Sequence, residues 1–260
     1  MHRPIFTNQY KSMIVHSTPL KSIAMIPARY AASRFPAKLM QDLMGKPVIL
    51  RTYEAVVATQ LFSEVYVVTD HPKIYELIEK QGGKVIMSEG YYECGSDRIA
   101  AAAHHLEADI IVNVQGDEPF IDPQSLSSLL AVFTADASQE ISLASLMYPI
   151  TDPLEIESPN AVKVIVDKYS NALYFSRAPI PFPRDRTDLT YYRHKGVYAF
   201  RKAALIDFPN MPMGPLEKAE KIEAIRYLEQ GYKIKMVPTA EAGIGIDVPE
   251  DLEKARAAWK

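Results

Sequence analysis

Arg29, Arg34 and Lys38 fall within ten residues of one another and follow the apolar run from Ile23 to Ile26. A loop at the carboxyl end of a first buried strand is where open α/β sheets take their ligands. Arginine presents a planar fork and lysine a point charge, and both suit phosphate oxygens. The segment therefore reads as a phosphate-binding loop for a nucleoside triphosphate, with a solvated basic turn as the plain alternative. Two carboxylates weigh against that alternative. Asp117, in Val114-Gln115-Gly116-Asp117-Glu118-Pro119, ends the most apolar strand at the same sheet edge. Asp247 closes Gly243-Ile244-Gly245-Ile246-Asp247 just ahead of the last helix. Two carboxylates beside a triphosphate form a hard-oxygen site suited to Mg²⁺, which prefers few carboxylates together with phosphates and water. Read only as a turn former and a helix-entry residue, the same two acids carry no such chemistry.

The elements that must position these residues alternate through the first half. Strands are expected at residues 23–26, 65–70, 84–87 and 109–114, and helices at 47–60, 72–81, 96–107 and 123–135. Proline opens helices well, Gly82-Gly83 stops the second, and Ser96-Asp97 is expected to cap the third. This βα alternation predicts a doubly wound parallel sheet. The rhythm changes after about residue 140, with strands expected at 141–150, 161–166, 173–175, 196–200 and 233–237 and helices at 216–230 and 249–259. Residues 168–171 read as a hairpin turn, and 178–183 are too rich in proline for a helix or a central strand. Tyr91, Tyr92, Tyr191 and Tyr192 read as packing residues.

The 260 residues, 48% apolar and 23% charged, can build a sizeable core. A net charge of −3 argues against a nucleic-acid binder, so any anion site must be a local cluster. The one cysteine, Cys94, excludes a disulfide framework and a multi-cysteine metal site, and fits a reducing compartment. No run of eighteen apolar residues occurs, which excludes a membrane-inserted helix. Residues 1–21 lack the apolar stretch of a signal peptide and read as a loosely ordered tail, with Met13 as an alternative start. The expectation is a cytoplasmic protein with one domain over residues 22–260, a nucleotide-binding half to residue 140 and a second half from 141.

Six segments carry a resemblance: P-A-R-Y-A-A-S-R-F-P-A-K from Pro27, E-C-G-S-D-R-I-A from Glu93, V-Q-G-D-E-P from Val114, Y-F-S-R-A-P-I-P from Tyr174, H-K-G-V-Y-A-F from His194 and G-I-D-V-P-E-D-L from Gly245. In this order they resemble the 3-deoxy-manno-octulosonate (Kdo) cytidylyltransferase family, across residues 22–260. The resemblance implies an α/β nucleotide-diphospho-sugar transferase fold, Rossmann-like, with a doubly wound, mixed but mostly parallel sheet and a smaller lobe in which the 161–176 hairpin serves a homodimer. It implies transfer of CMP from CTP to the anomeric hydroxyl of Kdo, release of pyrophosphate, dependence on Mg²⁺, and a product used in lipopolysaccharide synthesis. Carried onto this chain, Arg29, Arg34 and Lys38 hold the triphosphate, and Gly95, Ser96, Arg98 and Gln115 sit near cytosine and ribose. Asp117 and Asp247 hold Mg²⁺, and with Arg29 and Lys38 they form the catalytic set. Arg177, His194, Tyr198 and Glu223 meet the sugar acid. His194 and Tyr198 share one face of a strand, because side chains alternate; for a lone histidine a structural imidazole is the plain reading.

Five positions depart from the family pattern. Ala32 replaces a serine, with Ser33 beside it as a substitute hydroxyl, and Leu39 replaces a proline. Ala37 replaces a glycine, and the loop is expected to keep ordinary backbone angles there. Ala224 replaces a glutamine and removes one hydrogen-bonding group from the sugar side. Val248 replaces a threonine that would cap the last helix. Within enzymes the alternative is a cytidylyltransferase for sialic acid or an amino-substituted Kdo; outside them it is a catalytically silent nucleotide-binding relative. A G-x-G-x-x-G turn is missing after the first strand, which disfavours a dinucleotide oxidoreductase.

Overall fold

Residues 23–28 are all buried, and their side chains divide between two cores. Ile23 and Met25 enter one core, and Ala24, Ile26 and Ala28 the other. A strand that is apolar on both faces belongs in the middle of a covered sheet. In the computed structural model this strand, β1 (Ser22–Ala28), is central, and it is followed by a 3₁₀ turn (Lys38–Met40) and a small hairpin of β2 (Asp42–Leu43) and β3 (Lys46–Pro47). Then come α1 (Val48–Ala58), β4 (Glu64–Thr69), α2 (Pro72–Lys80), β5 (Lys84–Met87), α3 (Gly95–Ala103), β6 (Ile110–Asn113) and α4 (Pro123–Ala135). The second half runs through β7 (Leu143–Pro149), α5 (Pro153–Glu157), β8 (Lys163–Val166), β9 (Ala172–Ser176), β10 (Tyr192–Arg201), α6 (Lys202–Asp207), α7 (Pro215–Glu220), α8 (Ala224–Glu229), β11 (Ile234–Pro238) and α9 (Pro249–Ala258). The structure describes residues 20–31, 34–185, 189–240 and 243–259, so the expectations for residues 1–19 and for Ala32 and Ser33 lie outside it.

The main sheet has the order β11-β7-β10-β6-β1-β4-β5, with the hairpin β8–β9 attached beside β10. The run β6-β1-β4-β5 is parallel, as is β7 with β11, while β10 is antiparallel to both neighbours. The doubly wound α/β sheet expected from the βα rhythm is present, and it is mixed rather than wholly parallel, as the resemblance implied. The hairpin is also present, with Lys163 opposite Ser176 and the Asp167 carboxylate accepting from the backbone N–H groups of Tyr169 and Asn171 in its turn.

Five local expectations need correction. The helix expected over 216–230 breaks into α7 and α8 at Lys221, which adopts left-handed angles (φ 54°). Here the Arg177 guanidinium takes the Glu220 carbonyl, and the Glu220 carboxylate accepts from the Arg177 backbone N–H, so the chain turns to meet the end of β9. The helix expected from Ser96 starts at Gly95 and ends at Ala103, with Cys94 preceding it and no side-chain cap; the Ser96 hydroxyl is engaged elsewhere. Strand β10 starts at Tyr192 rather than Gly196, because Tyr192 pairs with both Pro149 and Val164. Ala37 does adopt positive φ (51°), since Lys38 must turn directly into the 3₁₀ segment; for a residue with a Cβ this costs about 1 kcal/mol. Tyr91 packs on nothing large, being 92% exposed.

Val248 precedes α9 with cap-like angles (φ −134°, ψ 163°) but no side-chain hydrogen bond, and only Asp251 reaches back, accepting from the Val248 N–H at 3.3 Å. Val248→Thr supplies the missing acceptor. It should stabilise the protein by about 1 kcal/mol, read as a rise in Tm of roughly 2–4 °C; an unchanged Tm would count against the cap geometry.

Candidate active site

From β1 the chain winds to β4 and β5 on one side, while β6 lies on the other, so β1 and β6 flank the point where the order reverses. The carboxyl ends of strands at such a point form the binding crevice of an open α/β sheet. The two strand ends approach closely. A Cβ on Gly116 would lie 3.0 Å from the Pro27 carbonyl, so only glycine lets the β6 extension pass. The Thr52 hydroxyl holds the Gly116 carbonyl, and the Ile246 N–H donates to the Asp117 carbonyl at 2.9 Å, which brings the Asp247 segment alongside.

The cavity at this junction has a volume of about 170 Å³ and is lined by Arg29, Arg34, Lys38, Gln115, Asp117 and Asp247 among others. Arg29 and Asp247, far apart in sequence, thus converge. Lys38 sits between the two acids, donating to Asp117 and, at 3.0 Å, to Asp247. Its side chain is 15% exposed, so the pairing is poorly screened, whereas the Arg34–Asp247 pair is 62% and 53% exposed and contributes little to stability. Burial lowers the Lys38 pKa, but Asp117 and then Asp247 outweigh it, and the ammonium ends above its ordinary value. Burial likewise raises the Asp247 carboxyl, yet Lys38 and Arg34 carry it below the carboxylate range.

Beside this junction the sheet has a notch. Strand β6 pairs with β10 only from Tyr198 onward, and β8 pairs with it only at Tyr192 and Arg193. Between them β10 carries a bulge, Lys195 to Tyr198, whose carbonyls at Lys195 and Val197 accept from the Ser145 hydroxyl on β7. A cavity of about 340 Å³ opens in the notch, lined by Gly95, Gln115, Arg177, His194, Tyr198 and Glu223 among others. Three of the four residues expected to meet the sugar acid are largely buried side chains. His194 is 8% exposed, contacts Ser145 through Nε2 at 2.9 Å and packs edge-on against Phe175. Burial, then Arg193, pushes its pKa down to about 3, so it is a neutral imidazole at physiological pH. The bulge leaves His194 and Tyr198 on one side with ring centres 5.3 Å apart. Burial raises the Glu223 carboxyl, with hydrogen bonds from Cys94 and Ser96 pulling the other way. Arg177 lines the cavity, but its Nε, Nη1 and Nη2 donate to the carbonyls of Glu220, Pro159 and Lys221.

Ser96 and Arg98 do not line these cavities. The Ser96 hydroxyl donates to Glu223 at 2.8 Å and accepts from Asn113, which in turn accepts from Gln115. Arg98 pairs with Asp70 at 2.8 Å beneath the Tyr92 ring, and its buried Nη1 has no hydrogen-bond partner among the described residues. Sequence reasoning missed a third cavity of about 490 Å³, which adjoins the other two and is lined by Glu118, Tyr148, Asn160, Arg193, Lys195 and Asp247 among others. The signal was faint but present: a glutamate next to Asp117, and two cations flanking His194 at the start of β10.

A family model described as cytidylyltransferase matches residues 23–234. The curated 3-deoxy-manno-octulosonate cytidylyltransferase of Christiangramia forsetii is 62% identical over 90% of this chain and 95% of its own length. That of Flavobacterium johnsoniae is 58% identical over 92% and 98%. The chain belongs to the 3-deoxy-manno-octulosonate cytidylyltransferase family. A solved structure of CMP:2-keto-3-deoxy-manno-octonic acid synthetase complexed with CTP superposes on it with a TM-score of 0.87 at 39% identity, over 91% of this chain and 97% of that one. In this chain cations and carboxylates meet at the sheet's switch point, and a polar notch adjoins them. No helix among the described residues is long and apolar enough to cross a membrane.

Glu118 supplies a pH signature. Burial, opposed by Lys195, pushes its carboxyl from 4.5 up to about 7. An acid with a raised folded-state pKa binds more protons folded than unfolded, so its contribution to stability falls as pH rises through that window. Relative to wild type, Glu118→Gln should gain about 2–3 kcal/mol between about pH 5 and about pH 8, read by denaturant unfolding in EDTA. Parallel stability curves for the two proteins would exclude a buried, proton-binding Glu118.

Proposed function

We propose that this cytidylyltransferase transfers CMP from CTP to the anomeric hydroxyl of 3-deoxy-manno-octulosonate, releasing pyrophosphate. The observation that carries the reading is Lys38 held between Asp117 and Asp247 at the switch point, one residue (Gln115) away from a notch fitted for hydroxyl groups. The anomeric oxygen attacks the α-phosphorus as the bond to the β-phosphate oxygen breaks. Such a displacement asks the protein chiefly to position its reactants and to neutralise charge. Arg29, Arg34 and Lys38 meet the triphosphate oxygens, Lys38 being the least exposed and the most firmly held. In the notch, Glu223 accepts hydrogen bonds from ring hydroxyls, and Tyr198 and neutral His194 offer further polar atoms. Arg177 fixes the walls by fastening Pro159 and the Glu220–Lys221 turn to the end of β9, and it lines the cavity.

The donor set fits Mg²⁺. Asp117 and Asp247 both reach one ammonium, so both can face one cation, and two carboxylates leave most of the coordination shell to phosphates and water, as Mg²⁺ prefers. When bound there, the ion would polarise the α-phosphate. We place the enzyme in the cytoplasm, where a nucleoside triphosphate and a free thiol at Cys94 are both at home. We assign it a homodimer through the β8–β9 hairpin: among the described residues β9 pairs only with β8, which leaves an open edge, and Leu173 on it is 58% exposed.

Asp117→Asn keeps the shape and removes one carboxylate. It should lower kcat for pyrophosphate release at least 1000-fold by order of magnitude while the far-UV spectrum and Tm stay near wild type; near-normal turnover would remove Asp117 from the metal site. Light scattering at micromolar concentration should give twice the chain mass, and a monomer there would remove the hairpin interface.

A further inference from the structure

The third cavity contains two charged groups that the reaction just described does not use. Lys195 is 6% exposed, and its ammonium donates no hydrogen bond to any described residue. Glu118 presents a buried Oε2 without a hydrogen-bond partner. The loop from Gly243 to Gly245 runs directly against both. A Cβ on Gly243, whose φ is +70°, would lie 2.7 Å from Lys195 Nζ, and one on Gly245 would lie 2.9 Å from Glu118 Oε1. Two glycines thus let the chain pass without pushing either group out of the cavity. A buried acceptor left unmatched is costly, so a ligand that donates to Glu118 Oε2 while meeting the Lys195 ammonium gains more than its contacts alone.

The occupant must accept from an ammonium and donate to a carboxylate at once. A carboxylate or phosphate would suit Lys195 but would set negative charge against Glu118. A pair of neighbouring hydroxyls suits both, because each hydroxyl can donate and accept. The location agrees. This cavity shares Asn160, Arg193, His194 and Gly196 with the notch, and Arg34 and Asp247 with the phosphate junction. In the ring form of an eight-carbon 3-deoxy-2-ulosonic acid, the two-carbon diol arm leaves the carbon joined through the ring oxygen to the anomeric centre. With the far ring hydroxyls at Glu223 and the anomeric hydroxyl towards Asp117 and Asp247, the arm emerges beside Asp247, where this cavity opens.

We propose that the cavity holds the exocyclic diol of the sugar acid, with Lys195 as its donor and Glu118 as its acceptor. The two residues then set the length and hydroxylation of the arm that the enzyme takes. This rests on the reading of the notch as the sugar-acid site.

The test measures kcat/KM for pyrophosphate release with CTP and Mg²⁺ on two acids: the eight-carbon acid, and a six-carbon 3-deoxy-2-ulosonic acid that closes the same ring without the arm. Wild type should prefer the longer acid at least tenfold. Lys195→Met and Glu118→Gln should each cut that preference to threefold or less, through KM for the longer acid, with KM for CTP within twofold. Lys195→Arg, which keeps a donor, should retain most of it. Undiminished preference in both Lys195→Met and Glu118→Gln overturns the assignment while leaving the sugar-acid reading intact. A wild-type enzyme that uses neither acid overturns both.

Discussion

Three distant pieces of chain meet at one ammonium group. Lys38 leaves the loop after β1, Asp117 comes from the extension of β6, and Asp247 from the entry to α9; its single positive charge fixes where the two acids stand. Like charges this close would repel without it, and the pKa directions of Lys38 and Asp247 both report that the attraction exceeds the cost of burial. The demands on the surrounding backbone follow from this point. Ala37 accepts a left-handed conformation so that Lys38 can turn inward, and Gly116 allows β6 to pass against Pro27.

The second constraint is the sheet itself. A purely parallel sheet would continue past β6 without a gap. Strand β10 runs the other way and is long enough to take two different neighbours along one edge, β6 at one end and β8 at the other. The bulge between them, supported by the Ser145 hydroxyl, turns that gap into a polar opening through the sheet. The groups lining the notch are thereby held on strands and a hairpin rather than on a loose loop, which favours precise placement.

Much of the charged junction was legible in the sequence because its residues act locally: three cations after an apolar strand, and acids at strand ends. The notch was legible only in part. His194 and Tyr198 follow strand alternation, but the burial that keeps His194 neutral and the fastening role of Arg177 come from groups far away in sequence. Lys221 breaks a helix that periodicity alone would continue, because a tertiary demand, the fit of Glu220 against Arg177, exceeds a propensity worth tenths of a kcal/mol. Ala37 follows the same logic, with a fixed side-chain position overriding backbone preference. Glu118 and Lys195 lie in recognisable segments, yet nothing in their spacing shows that both end inside one cavity.

The row Gln115, Asn113, Ser96 and Glu223 joins the first cavity to the second. Each member gives a hydrogen to the next, and the last one only accepts. Such a row has a sense, like a file of arrows. Reversing one amide alone would set donor against donor or acceptor against acceptor, so its members turn together or not at all. Whatever fixes the Gln115 amide at one end therefore fixes which lone pairs Glu223 still offers at the other, and the two cavities share a common polarity.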